Sequence, residues 1–193
     1  MSKHYDVVII GAGSVGVPAA LAMAKKGVKV AVIDELFAPG QGQNKKAIGG
    51  IRATHTSPAK IKLCLRSIEI FSTWEEKYGH DIEWFQGGYT FVAYTENDEK
   101  MLKESITIQQ KAGLNINWVD TEKIQELVPG IVSEGLRGGT YSPEDGNASP
   151  LKSILAFYDQ SIVDGAEYFL KERVINIKQE NGKITKVVTN KDE

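Results

Sequence analysis

One cysteine, Cys64, is all the thiol chemistry this chain has. A lone cysteine forms no internal disulfide and no cysteine-based metal cluster. It falls on an expected helix, where it reads as a buried, inert thiol, with a reactive one as the alternative. The three histidines, His4, His55 and His80, are not spaced as metal ligands. No apolar run approaches the roughly 20 residues of a membrane span. The first apolar stretch is too short for a signal-peptide core, so a cytoplasmic location is the expectation. Charge of either sign is not in excess: the net charge is −2, which offers nothing to a nucleic acid. Repeats, low-complexity tracts and a nucleophile-elbow motif are also missing. What remains, over 193 residues with 41% hydrophobic and 25% charged content, is an ordinary globular protein with one sizeable core or two small lobes.

Glycine is what the chain does have, and its placement is informative. "YDVVIIGAGSVGVPAALAMAKKGVKVAVIDE" begins at Tyr5. Residues 5–10 are an apolar, β-branched run suited to a buried parallel strand. Gly11, Ala12, Gly13, Ser14, Val15 and Gly16 follow in G-x-G-x-x-G spacing, and an Ala-rich helical segment comes next. Residues 28–33 read as a second strand, closed by Asp34 and Glu35. Gly11 permits the tight turn, Gly13 lets backbone approach a pyrophosphate, and Gly16 lets the helix pack on the strand. The helix N-terminus presents free N–H groups and a positive dipole end to phosphate. An acid about twenty residues on accepts ribose hydroxyls. The expectation is a bound dinucleotide; the bland alternative is a tight strand–helix turn and nothing more. An acid at this place, rather than an arginine, argues against a 2′-phosphate and hence against NADP.

After the second strand an NAD domain would continue alternating helices and strands. This chain instead enters "LFAPGQGQNKKAIGGIRATHT", a polar loop that could wrap an extended cofactor or simply face solvent. Residues 57–78 then read as one long helix, with Ser57 as N-cap, Pro58 in the first turn and Gly79 at its end. Its apolar stripe is Ile61, Leu65, Ile68, Phe71 and Trp74. Two strands are expected around Gly87–Gly88, a helix over 98–112, short strands at "NINWVD" and "GLRGGTYS", a short helix at "TEKIQELVPG" and a turn at "PEDGN". A helix over 151–165 behind Ser149–Pro150, a strand at 168–170 and a hairpin over 174–188 turned at Asn181–Gly182 complete the reading. The order is an α/β lobe, interrupted by a mainly antiparallel α+β insertion, then resumed.

The segments "DVVIIGAGSVG", "VAVIDE", "GGIRATH", "SIEIFSTWEEKYG", "GGYTFVAYTENDEKMLKESITIQQKAG", "YSPEDGNASPLKSILAFYDQSIVDGAE" and "ERVINIKQENGKITKVVTN" together carry a resemblance. The chain resembles the D-amino-acid-oxidase-like superfamily of FAD-dependent oxidoreductases, and within it the β subunits of sarcosine oxidase and of dye-linked L-proline dehydrogenase. The resemblance implies a Rossmann-like, glutathione-reductase-type FAD-binding domain over 1–80 and 143–193, with part of a substrate-binding domain over 81–142. It implies FAD, with the ADP half on Gly11–Gly16 and the ribose on Asp34 or Glu35. It implies that Gly42, Gln43, Lys46, Ala47, Gly49, Gly50 and Ile51 run past the pyrophosphate and flavin, and that Val174 meets the adenine edge through backbone. Arg52, at the end of the "GGIR" run, would approach the flavin or a substrate carboxylate, which suits a bidentate guanidinium; the alternative is a structural ion pair. His55 could face the flavin or be structural.

The chemistry implied is oxidation of a C–N bond in an amino acid or secondary amine, with hydride passing to the flavin and the imine then hydrolysing. Oxygen or a partner redox subunit would take the electrons, within a possible hetero-oligomer. Two departures stand out. Ser149–Pro150 occupies the region where some sarcosine oxidase β subunits carry a histidine for covalent FMN, which argues against that attachment. Members of the superfamily also continue well beyond "VVTNKDE", so the chain resembles the N-terminal part of a longer protein, incomplete at its C-terminus and expected to be inactive alone. The competing readings are an FAD-dependent oxidase of a hydroxy acid or glycerol phosphate, and a non-catalytic nucleotide-binding subunit.

Overall fold

The computed structural model describes residues 3–191. In chain order the elements are β1 (Val7–Ile10), α1 (Gly16–Ala24), β2 (Val30–Asp34), β3 (Gly50–Ile51), α2 (Pro58–Ser72), α3 (Trp74–Tyr78), β4 (Tyr89–Ala93) and α4 (Glu96–Lys111). Then come β5 (Asn117–Val119), α5 (Thr121–Leu127), β6 (Gly138–Ser142), β7 (Gly146–Asn147), α6 (Pro150–Val163), β8 (Glu167–Leu170), β9 (Val174–Glu180) and β10 (Lys183–Thr189). Among the described residues no helix is long and apolar enough to cross a membrane.

Two compact units divide at Ile48/Gly49 and Ala148/Ser149. The first joins the residues up to Ile48 with those from Ser149 onward. Its core is a parallel sheet in the order β1-β2-β8. Val7 stands opposite Val30 and Ile10 opposite Ile33, while Ala31 stands opposite Glu167. Strand β2 is central and its Val30, Ala31, Val32 and Ile33 are buried, as a strand covered on both faces requires. Helices α1 and α6 pack against each other, and α1 also packs on β1 and β2. Beyond β8 lies the antiparallel hairpin β9–β10. Asn181 and Gly182 both adopt positive φ (51° and 76°) at its tip, the conformation that a two-residue hairpin turn demands.

The second unit spans Gly49–Ala148. It contains an antiparallel sheet in the order β4-β6-β5 and a two-stranded antiparallel ribbon of β3 and β7. The boundaries expected for the insertion were 81 and 142; the compact unit is wider and takes in the helix that follows β3. The reason is where the apolar stripe goes. Ile61 and Ile68 of α2 bury themselves with Ala53, Leu114 and Ile116, and Cys64 and Leu65 pack against that cluster. Cys64 is thus a half-buried member of a packed face.

Two local expectations need correction. The single helix over 57–78 is two helices, because Thr73 leaves the helical region (φ −106°, ψ 5°) between Ser72 and Trp74. Both halves keep the stripe, with Trp74 buried, and Gly79 closes α3 in the left-handed region at φ 72°. Ser57 stands at the N-cap in extended backbone without a side-chain cap bond. The two strands expected around Gly87–Gly88 are one: only β4 forms, and it pairs with β6 (Tyr89 opposite Ser142). The preceding segment contributes an isolated bridge between Phe85 and Asn147. The helix α4 is fixed by a capping box in which Thr95 and Asp98 satisfy each other's backbone N–H groups.

Candidate functional site

The first unit builds one concave site at the C-terminal end of its parallel sheet, where ligands of open α/β sheets bind. A cavity of about 360 Å³ is lined by Ile10, Gly11, Ile33, Asp34, Glu35, Leu36, Glu172, Arg173 and Val174. That size lies within the range of small-molecule pockets. Sequence separation of about 140 residues is bridged by the sheet: the chain leaving β8 returns beside the end of β2, where Lys171 N donates to Leu36 O (2.9 Å) and Glu172 N to Asp34 O (3.0 Å). Gly11, Asp34, Glu35 and Val174, all expected at the site, therefore share one cavity. Glu172 and Arg173 line it as well and carry no local signal that would have marked them.

Each motif glycine has a separate structural reason. Gly11 takes φ +105°, which side-chain-bearing residues rarely adopt. A Cβ on Gly16 would stand 1.9 Å from the Gly11 carbonyl oxygen, so only glycine lets α1 come this near β1. A Cβ on Gly13 would meet nothing within 4 Å: its smallness is not required by protein packing, and the space beside it is open for a ligand. Val15, at the head of α1, is exposed and provides no side-chain cap; Val17 N donates to Gly13 O (3.1 Å) and Pro18 brings no N–H. Open space beside Gly13, at the N-terminal end of α1, is what a pyrophosphate needs, so the residues present fit the ADP half of FAD.

Asp34 is more tightly held than the motif alone implies. Its Oδ2 accepts from Ala12 N at 2.6 Å and its Oδ1 from Leu36 N at 2.8 Å. Each oxygen keeps one lone pair, enough for a ribose hydroxyl. Glu35 is exposed and no such bonds hold it among the described residues. The following loop is partly pinned: Gly40 N donates to Ala12 O (2.8 Å) and Asn44 Nδ2 to Pro150 O (2.9 Å). Gly42, Gln43, Lys46 and Ala47 are exposed there, around a 3₁₀ turn at Asn44–Lys46, and none of them lines the cavity.

In the second unit, β3 carries Gly50 and Ile51 against Asn147 and Gly146 of β7, and Gly49 O accepts from Ala148 N (3.0 Å). This ribbon delivers Arg52. Its Nη1 donates to Thr54 O at 2.8 Å and to Thr54 Oγ1 at 3.0 Å. The guanidinium carbon stands 5.6 Å from the Tyr89 ring centroid and 5.1 Å from that of Phe91, on β4. These are cation–π separations. Among the described residues no carboxylate forms an ion pair with Arg52. His55 is half-buried nearby, and burial, reinforced by Arg52 and Lys60, pushes its imidazole below the usual histidine range. Among the described residues no group of histidine, cysteine and carboxylate side chains could hold a metal ion.

Comparison with known proteins extends this geometry. The family profile described as "FAD dependent oxidoreductase" (DAO) matches residues 6–193. Glycine oxidase from Geobacillus kaustophilus is 28% identical over 166 residues, which is 81% of this chain and 44% of that enzyme. Monomeric sarcosine oxidase from Bacillus sp. (strain B-0618) is 26% identical over 176 residues, 90% of this chain and 45% of that one. The crystal structure of L-proline dehydrogenase from P. horikoshii superposes with a TM-score of 0.94 at 31% identity, over 100% of this chain and 50% of that one. The chain thus spans about half the length of the relatives it matches. A profile that runs from the first strand through the hairpin, over a parallel sheet whose glycine turn leaves room for a pyrophosphate, places the chain in the DAO family of FAD-dependent oxidoreductases.

Proposed function

We propose that the protein oxidises the C–N bond of a small amino acid or secondary amine, of the sarcosine, proline or glycine kind. The observation that carries this reading is Arg52, a half-buried cation with aromatic faces beside it and no carboxylate partner among the described residues. A guanidinium held by one neighbour and two rings keeps outward N–H donors for a ligand carboxylate, in the planar fork that such a ligand matches. The relatives named glycine oxidase, sarcosine oxidase and L-proline dehydrogenase act on substrates that all carry a carboxylate next to an amine-bearing carbon.

In this reading the first unit holds the ADP half of FAD, with the pyrophosphate on the Gly11–Gly16 turn, the ribose on Asp34 and the adenine edge along Val174. Gly42, Gln43, Lys46, Ala47 and the run Gly49–Ile51 serve the remainder of the cofactor. The second unit supplies substrate contacts. When bound, the flavin supplies the hydride acceptor for the substrate's α-carbon. Arg52 binds the carboxylate and so orients that carbon. Nearby His55, held neutral near pH 7, adds no second positive charge beside the amine. The electron acceptor is oxygen or a partner redox subunit, and the enzyme is cytoplasmic.

Anaerobic mixing of the flavin-loaded protein with sarcosine, L-proline and glycine tests the proposal. Bleaching of the flavin absorbance by at least one of them, and not by lactate or glycerol 3-phosphate, is the expected result. Bleaching by lactate or glycerol phosphate alone would move the activity to hydroxyl oxidation, and none with any would favour a non-catalytic nucleotide-binding role.

A further inference from the structure

Asp145 lies between β6 and β7 and is fully buried. A buried acid is expensive unless it is neutral or well partnered. This one ties together three stretches of the second unit. Its main-chain carbonyl accepts from Gly88 N at 2.9 Å, at the entry to β4, and its side-chain Oδ1 accepts from Ala53 N at 3.0 Å. Ala53 is itself fully buried and directly follows Arg52. The rings flanking Arg52 sit on β4, one and three residues beyond Gly88. One aspartate therefore fixes both the backbone that bears the guanidinium and the strand that bears its aromatic walls. Its second oxygen, Oδ2, is buried without a hydrogen-bond partner, and so is the hydroxyl of the neighbouring Ser142. Such orphaned groups in a dry interior call for an explanation.

We propose that Asp145 is a positioning residue for the carboxylate clamp, holding Arg52 in place through the Ala53 N–H and acting as a neutral hydrogen-bonding group. This rests on the reading of Arg52 given above. The role needs an acceptor at Oδ1 and a donor at Oδ2 that can serve the Ser142 hydroxyl, and a carboxylic acid provides both. Burial raises the Asp145 carboxyl above the usual aspartate range, with Glu144 acting in the same direction and the Ala53 N–H, the nearby Ser142 hydroxyl and the Arg52 charge opposing it. An ionised Asp145 would set an anion behind the guanidinium and weaken its hold on an incoming carboxylate. A neutral one leaves the charge of Arg52 to the ligand.

An amide keeps an uncharged carbonyl acceptor beside a hydrogen-bond donor, as a carboxylic acid does, so Asp145→Asn is the conservative replacement and Asp145→Ala the disruptive one. The experiment titrates acetate into the flavin-loaded protein, followed by the flavin absorbance, and measures hydrogen exchange at the Ala53 amide in each variant. Asp145→Asn should bind acetate within about threefold of the wild type and keep Ala53 protected. Asp145→Ala should bind acetate about tenfold more weakly, in line with one lost hydrogen bond, and exchange Ala53 faster, with FAD affinity unchanged. Wild-type acetate binding and Ala53 protection in Asp145→Ala would overturn the proposal. An Asp145→Asn variant as weak as Asp145→Ala would also overturn it, by showing that the negative charge is what matters. Arg52→Ala separates the two readings: acetate binding at wild-type strength there removes the clamp, and with it this role for Asp145, while the Ala53 exchange still reports whether the hydrogen bond is made.

Discussion

Replacing Asp34 by alanine should damage the protein in two separable ways. The first is stability without any ligand. The carboxylate serves Ala12 N at 2.6 Å and Leu36 N at 2.8 Å. Ala12 is fully buried, so its amide finds no water when the acceptor goes, and that loss costs about 1–3 kcal/mol. Leu36 is half-buried and recovers part of its loss from solvent, for about 0.5–1.5 kcal/mol. Together Asp34→Ala should lower the unfolding free energy by about 2–4 kcal/mol. The second effect is on the cofactor. A ribose hydroxyl bound to a charged acceptor contributes about 1.5–3 kcal/mol, so FAD affinity should fall about ten- to 150-fold. Asp34→Asn keeps one acceptor for two backbone donors and should show an intermediate stability loss. Glu35→Ala, at an exposed position, should change neither quantity by more than about 0.5 kcal/mol. Urea unfolding of the ligand-free protein and a fluorescence titration with FAD measure the two effects. Unchanged unfolding in Asp34→Ala would refute the twin hydrogen bonds. Unchanged FAD affinity would remove Asp34 as the ribose acceptor, and a loss confined to Glu35→Ala would transfer that role.

The glycines of the turn should divide by cause. Gly16→Ala meets backbone and should cost about 3 kcal/mol or more in unfolding experiments; Gly13→Ala should leave stability within about 0.5 kcal/mol and weaken FAD about tenfold or more. Arg52→Ala should lose about 2–4 kcal/mol in kcat/KM with amino-acid substrates, while Arg52→Lys, which keeps the charge without the fork, should mainly raise KM. Amines lacking a carboxylate should respond little, and an equal loss with both kinds of substrate would point to flavin placement instead. The raised Asp145 carboxyl makes the folded state bind more protons than the unfolded state from the ordinary aspartate range up to its own higher pKa. Stability should therefore fall as pH rises through that window, and Asp145→Asn should flatten the fall in pH-dependent urea titrations; identical profiles would mean an ordinary, ionised carboxylate.

What the sequence made legible was local. The β-branched run before Gly11, the glycine spacing, the buried β2 and the Asn181–Gly182 hairpin each follow from a few adjacent residues, and each formed close to its expected bounds. The break at Thr73 was hidden because the apolar stripe passes straight through it, from Phe71 to Trp74. The strand expected before Gly87–Gly88 shrinks to one bridge, Phe85 to Asn147, and β4 pairs with β6, about fifty residues onward; no local pattern specifies either partner. The same holds for the site. Gly11, Asp34 and Val174 share a cavity through the parallel sheet, yet Glu172 and Arg173 enter it only because the chain after β8 returns beside β2. Asp145 was hidden most completely. In "PEDGN" it reads as a solvated turn residue, and only packing against Ala53 and Gly88 turns it into a buried acid.

Calorimetric titration of the protein with FAD, ADP and FMN tests most directly whether the glycine turn and Asp34 hold a dinucleotide by its adenosine half. FMN carries the flavin without that half, and ADP carries that half without the flavin. The account predicts that ADP binds, that it competes with FAD, that FMN does not displace either, and that Asp34→Ala weakens ADP and FAD by the same factor. FMN binding as tightly as FAD, with ADP showing no heat and no competition, would contradict it.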